Sequence, residues 1–381
     1  MWGEGVLEAN KLKIKANDPT IMPAFDTLIT EAEIALTLKA PSVMDKAFIA
    51  PSNDKHDYMS MGPYWWPNPD TPDGLPYIRK DGEVNPERNG YDKVSGSIMT
   101  DAVRTLTLAY YFTDNNVYAL KAAELLRTWF IAPDTKMNPH LNFGQFIPGK
   151  SSGRSVGIIE SRNFVFLTNY EPLLESSEDW TDIDHTTFVE WMNDFRIWLV
   201  ISDLGQQEFN RANNHGSWYD YQVLALSQYC GVAEESRVLA GSVHKRRLEH
   251  QVDADGKQFE ELARTKSFNY SVFNLEALTK IALHASSYGI NLYQVDQELQ
   301  RMTLALDFLL PYAAGSEPWP YPQISNMTHS QEKMIFLLNS AYLQTQKPEY
   351  MVAIRQLKSR FPRSRYHLTT GDMSDTSIKL D

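Results

Sequence analysis

Apolar residues recur at a helical spacing in segment after segment of this chain, and that repetition leaves few architectures open to it. Residues 22–38 read as a helix. From Ile98 onward, Ile98, Ala102, Leu106, Ala109 and Phe112 form one stripe; after the turn at Thr113-Asp114-Asn115-Asn116, Tyr118, Ala122, Leu125 and Trp129 form a second. The alternation continues through 184–203, 219–230, 234–249, 271–287, 294–312, 330–345 and 348–360, each segment 12 to 20 residues long. Convincing strands are scarce. Short links between helices imply antiparallel neighbours. The expected fold is therefore all-α: a single domain over 1–381, an α/α toroid of helical hairpins with loops forming a cleft at one end. A tandem-repeat solenoid would need self-similarity at a fixed period, and none is found. The polar tail at 369–381 is expected to fray.

One stretch escapes the helical period. Between Pro51 and about Tyr91 lie seven of the 20 prolines, so 51–95 is expected to be a long ordered loop over the cleft. It contains Pro63-Tyr64-Trp65-Trp66-Pro67-Asn68-Pro69, where rings are held by prolines instead of by helix packing. Rigid rings of this kind suit a sugar-stacking platform. They equally suit plugs that pin the loop to the domain.

Composition narrows the partners. With 43% hydrophobic residues, 381 residues can fill a substantial core. A net charge of −12 argues against nucleic acid and anionic membranes, which need a basic surface to displace counterions. A polyanionic substrate would require Lys and Arg concentrated in the cleft. No apolar run is long enough to span a membrane, and no retained signal peptide is visible at the start. The single cysteine, Cys230, forbids an internal disulfide and reads as a small buried hydrophobe. Nine Trp and 19 Tyr suit sugar stacking, although large cores also consume aromatics.

Three polar clusters carry the candidate chemistry. Asn213-Asn214-His215-Gly216-Ser217-Trp218-Tyr219-Asp220 places amide, imidazole, hydroxyl and phenol groups consecutively. Each would need its own partner if buried, so the stretch reads as a site. The competing reading makes the Asn pair the cap of a helix beginning near Trp218. Asn138-Pro139-His140-Leu141-Asn142-Phe143-Gly144-Gln145, followed by Gly149, Gly153 and Gly157, reads as a loop whose amides suit hydroxyls or carboxylates, or as simple turn chemistry. Finally, Arg264 and Tyr270 stand six apart just before a helix, after Glu260 and Glu261. A guanidinium near a phenol stabilises phenolate, which otherwise needs a pH near 10, and so makes Tyr270 a candidate base. A core Tyr and a surface Arg paired to Glu261 is the alternative.

Taken together, these pieces resemble the alginate lyase superfamily of polysaccharide lyases, and the resemblance covers roughly residues 50–325. It is carried by PYWWPNP, MNPHLNFGQ at 137–145, GIIESR at 157–162, NNHGSWYD at 213–220, ELARTKSFNY at 261–270 and WPYPQI at 319–324. The subgroup it most resembles acts on glucuronan and mannuronate-rich alginate and folds as an α/α barrel.

The resemblance implies endo-acting β-elimination at a 4-linked uronate. Asn214, His215 and Arg264 map onto the groups that neutralise and position the carboxylate, and Tyr270 onto the catalytic phenol. Tyr64, Trp65, Trp66, Asn142, Gln145, Arg162, Asn213, Tyr219 and Lys266 are expected to bind substrate. No cofactor is implied, and the partner is an anionic polysaccharide, glucuronan or alginate. His56, His140, His244 and His250 offer only the six-residue His244/His250 interval, which does not share a helical face, so no metal is expected. The resemblance also implies a periplasmic or secreted protein whose signal peptide has been removed. Two alternatives remain at this stage: a glycoside hydrolase enlisting Asp220, Glu260 or Glu261 as a carboxylate pair, and an inert carbohydrate-binding protein keeping Trp65 and Trp66.

Overall fold

The computed structural model describes residues 3, 5–294 and 299–371. Helices dominate, and the chain packs as two compact units. One comprises Met1–Thr30, Ala212–Leu224 and Glu234–Asp381; the other comprises Glu31–Arg211 and Ala225–Ala233. Among the described residues no helix is long and apolar enough to cross a membrane.

The expected helices form, with shifted boundaries. Residues 22–38 become Met22–Leu36, and 330–345 and 348–360 become Thr328–Thr345 and Pro348–Arg360. The segment expected at 294–312 is helical over Arg301–Ala314; its residues 295–298 lie outside the described ones, as does the tail from 372. An additional helix, Val6–Lys15, lies near the N-terminus. The helix expected from Ile98 starts earlier and spans Asp92–Thr113, which ends the long loop at Tyr91 instead of 95. Its buried stripe runs through Met99, Ala102, Val103 and Leu106, leaving Ile98 44% exposed. A one-residue offset turns the face by about 100°, enough to carry Ile98 out of the core. Asp114 then adopts a left-handed conformation (φ 56°), and the Asn115 side chain caps Asn116–Leu126 by accepting from Val117 N–H. Tyr118, Ala122, Leu125 and Trp129 are all buried, as the second stripe requires.

The core of the Glu31–Arg211 unit is aromatic. Phe130 meets Phe164, Phe188 and Trp191 edge-on, and Trp191 stacks on Phe195. Within the long loop, Met59–Met61 pairs in parallel with Phe143–Phe146, and Trp65–Trp66 pairs antiparallel with Ile78–Arg79. Its start is fixed by Lys46, whose ammonium donates to the carbonyls of Val43 and Lys55, each at 2.7 Å, and pairs with Asp92 at 3.1 Å. Asp92 also accepts from Met59 N–H. Gly157 is required by a close approach: a Cβ there would lie 2.5 Å from the backbone of Gly144.

Candidate active site

The first unit holds Asn213, Asn214, His215, Arg264, Lys266 and Tyr270. The Asn214–Tyr229 helix begins four residues before the expected Trp218. Asn213 is the cap, its Oδ1 accepting from the N–H of His215 at 3.2 Å. Asn214 and His215 occupy the first turn, where backbone N–H groups are unsatisfied and the helix end is positive. Asn214 is buried and His215 half-buried.

The carboxylate of Glu261 meets this helix end. It accepts the backbone N–H of Asn214 and its side-chain Nδ2, each at 2.7 Å. Burial raises Glu261 from the usual carboxylate range to about 7, against the pull of the Asn214 donors and of the charges of His215 and Arg264. Behind it runs a buried amide network. Asn274 donates to Gln251 at 2.9 Å and to Gln258 at 2.8 Å; Gln251 also accepts from Ser217 and donates to the Asn213 carbonyl. Trp218, fully buried, packs on Phe273 and Tyr221. These contacts fix where Asn214 and His215 can point.

Arg264 and Tyr270 flank a short turn between the helices Phe259–Leu262 and Ser267–Ser286. Tyr270 thus sits in a first helical turn, slightly later in structure than expected. Arg264 Nη2 donates to the Tyr270 hydroxyl at 2.8 Å, and the guanidinium carbon lies 3.8 Å from the ring centroid. The 319–324 segment pins this turn. Ile324 N–H donates to Thr265 O, Lys266 bridges to Gln323, and Ser267 N–H and hydroxyl both donate to Pro322 O. Trp319 Nε1 donates to Ser267 Oγ at 2.8 Å. Lys266 itself is half-buried.

Two expected roles in this unit fail on burial. Tyr219, expected to bind substrate, is 2% exposed, and its phenol is pushed up by burial and by neighbouring Asp220. Asp220, a candidate hydrolase carboxylate, is fully buried between Arg247 (2.7 and 3.0 Å) and Arg246 (3.0 Å). A carboxylate so paired cannot serve as an acid. Glu260 is exposed, and Glu261 is held by Asn214.

The second unit holds the remaining candidates. Tyr64, Trp65 and Trp66 are half-buried. Trp66 Nε1 donates to Glu83 O at 3.1 Å, with Lys80 5.1 Å from its ring centroid. Lys150 and Arg154 lie 4.8 and 5.7 Å from the Trp65 ring centroid. Asn142 is exposed and accepts from Trp198 Nε1 at 3.0 Å. Gln145, expected to bind substrate, is instead 9% exposed. Its Nε2 donates to Glu160, and its Oε1 and carbonyl accept from Arg154. Its amide is consumed inside the protein. Arg162 is half-buried and donates to the Ile159 carbonyl at 2.6 Å. Lys93 is pushed down to about 8, first by burial and then by Arg162 and Arg88, against the pull of Glu160.

Sequence reasoning missed Glu261 as the partner of Asn214, and Glu160, which accepts from Tyr58 and Ser60 as well as Gln145. The signal for Glu160 was its place in GIIESR; an acid amid apolar residues has to find donors. Among the described residues no group of three or more His, Cys, Asp or Glu is placed to hold a metal ion.

Comparison with known proteins follows the same lines. A model of the alginate lyase family matches residues 42–319. A search of curated proteins finds no match. The chain is 40% identical to an alginate lyase from Bacteroides ovatus, with a TM-score of 0.92 and 97% of each chain covered. It is 15% identical to alginate lyase A1-III from Sphingomonas species A1, with a TM-score of 0.52 over 85% of this chain and 88% of that one. A tyrosine-to-phenylalanine variant of A1-III, complexed with a tetrasaccharide, matches at 16% identity and TM-score 0.56, covering 90% and 87%. The all-α toroid fold class is the one shared with these lyases.

Proposed function

The chain belongs to the alginate lyase family and is a polysaccharide lyase; from that premise we propose that it cleaves 4-linked polyuronates, glucuronan and mannuronate-rich alginate, by endo-acting β-elimination. The observation that carries the mechanism is the 2.8 Å hydrogen bond from Arg264 to the Tyr270 hydroxyl. A donor with a full positive charge at that oxygen stabilises the negative charge it takes on when it gives up its proton.

In the proposed reaction a base removes the C5 proton, the electron pair forms the C4=C5 double bond, and the C4 oxygen leaves with a proton supplied by an acid. The obstacle is the weak acidity of C5 beside a carboxylate. Asn214, His215 and Arg264 are assigned to neutralising and positioning that carboxylate, where electrostatic stabilisation of developing charge is the largest catalytic term. On mannuronate, with proton and leaving oxygen on one face, Tyr270 acts as both base and acid. Glucuronate differs from mannuronate only at C2 and presents the same face relation, so Tyr270 serves both roles there too. On guluronate, the C5 epimer of mannuronate, the proton lies on the opposite face, and His215 is the base and Tyr270 the acid.

Trp65 is the proposed stacking ring, and Arg162 with neighbouring Lys93 supplies positive charge for a polyanion despite the net charge of −12. Asn142, Asn213, Tyr64 and Lys266 remain proposed substrate contacts. The buried Asp220 and the engaged Glu261 favour elimination over a hydrolase carboxylate pair. We place the protein in the periplasm or outside the cell, where such polysaccharides are met. The test is incubation with glucuronan, polymannuronate and polyguluronate, followed by ultraviolet absorbance of the conjugated product. Cleavage without an absorbing product would point to hydrolysis, and loss of activity on adding a chelator would overturn the metal-independent scheme.

A further inference from the structure

A carboxylate is an odd neighbour for a site that has to receive a polyanion. Glu261 is 1% exposed and stands three residues before Arg264, yet its two oxygens point at the start of another helix. There Oε1 takes the backbone N–H of Asn214 and Oε2 takes its Nδ2, both at 2.7 Å and both buried. An Asn side chain has two ends of nearly equal shape and opposite hydrogen-bonding sense, and a half-turn about its last torsion exchanges them. A carboxylate accepts and does not donate, so it selects the NH2 end and turns Oδ1 away from itself. Asn214 Oδ1 is buried and has no hydrogen-bond partner in the protein.

We infer that Glu261 is a positioning residue for the elimination: it fixes the rotation of the Asn214 carboxamide, so that Oδ1 and the second N–H of Nδ2 are presented to the uronate in one sense only. The inference rests on the lyase reading given above. The same contact ties Asn214 and His215 to the segment bearing Arg264 and Tyr270, and His215 and Arg264 both act on Glu261 through their charges. One carboxylate thereby sets the register of four proposed catalytic groups. A buried acceptor left unpaired is costly, and here the substrate supplies its partner, a sugar hydroxyl or a proton-bearing carboxyl.

Glu261→Gln tests this, because it keeps shape and reach but converts one oxygen into a donor. The Gln amide can still accept the backbone N–H of Asn214 while donating to Oδ1, which leaves the Asn214 carboxamide turned over. Glu261→Asp keeps the acceptor-only charge and shortens the reach. The expected result on polymannuronate and glucuronan is a kcat loss of about 10²-fold for Gln, with KM changed less than about threefold, and less than about tenfold loss of kcat for Asp. A role in shape alone predicts the reverse order, Gln better than Asp, and that order overturns the inference. The comparison is made on variants melting within about 5 °C of wild type. If only the Asp variant meets that condition it decides alone: kcat within about tenfold of wild type upholds the inference, and a loss beyond about 10² overturns it. Wild-type protein that forms no unsaturated product fails the lyase reading itself, whereas an active wild type with a fully active Gln variant fails only this inference.

Discussion

Arg264 holds Tyr270 in two ways at once, by a 2.8 Å hydrogen bond to the hydroxyl and by a guanidinium 3.8 Å from the ring centroid. The second contact depends only on the ring and survives loss of the oxygen. Tyr270→Phe should therefore keep fold and substrate affinity while kcat falls by about 10³ or more. A variant retaining more than about a tenth of wild-type kcat on every polyuronate would remove the phenol from the mechanism.

His215 should behave differently on different substrates. If it is the base on polyguluronate, where the C5 proton lies on the face opposite the leaving oxygen, His215→Ala loses about 10² to 10⁴ in kcat there. On polymannuronate, where it only helps to neutralise the carboxylate, the loss should be smaller. Equal losses on both polymers would deny the two-face assignment.

The two adjacent tryptophans should separate by role. Trp66 is tied to Glu83 O through its indole N–H, so Trp66→Ala should lower the melting temperature. Trp65, with two cations near its ring, should on replacement by Ala raise KM more than it lowers kcat, the signature of binding shared by ground and transition states. Unchanged KM for Trp65→Ala, with a lowered melting temperature, would make it a plug too.

Glu261 should leave a mark on stability against pH. Its folded value, about 7, lies above the unfolded carboxylate value of 4.5, so the folded state binds this proton more tightly. The resulting stability is fully present below about pH 4.5 and is lost as pH rises through 7, on the order of 3 kcal/mol in all. Denaturant unfolding of wild type and Glu261→Gln at pH 5 and pH 8 should show a shallower decline for the variant; parallel curves would refute the assignment.

Lys46 has all three ammonium protons engaged, by two carbonyls and Asp92, with both charged side chains 1% exposed. Lys46→Met strands a buried carboxylate and should destabilise by about 3–5 kcal/mol. A melting temperature unchanged by that substitution would mean that the loop base is not secured there.

What could be read in advance follows the range of the interaction. Helices were legible because the period of apolar residues is local, and the Arg264–Tyr270 pair because six residues separate its members. Asn213 as cap was legible, although the helix start was set four residues late, since the polar first turn hides the apolar stripe that follows it. Glu261 was visible only as an alternative partner of Arg264 or as a candidate hydrolase carboxylate; its bonds to Asn214 span 47 positions and leave no trace in any local pattern. Tyr219 and Gln145 were misread for one reason. Polar residues beside a site look alike in sequence whether they face solvent or satisfy the interior, and burial alone separates them.

The contact between Asn10 and the chain 358 residues later has a consequence for synthesis. Asn10, buried in the Val6–Lys15 helix, donates to the carbonyl of Leu368, within the helix Tyr366–Thr369, at 2.9 Å. The unit that bears His215, Arg264 and Tyr270 thus joins the Val6–Lys15 helix to the Tyr366–Thr369 helix, a closure of high sequence separation that folds slowly. The unit carrying the tryptophans draws on Glu31–Arg211 and Ala225–Ala233, all of which leave the ribosome well before Leu368 does. During elongation the unit bearing His215, Arg264 and Tyr270 is therefore the one left waiting, its apolar faces uncovered, so an arrested chain is a hazard for aggregation.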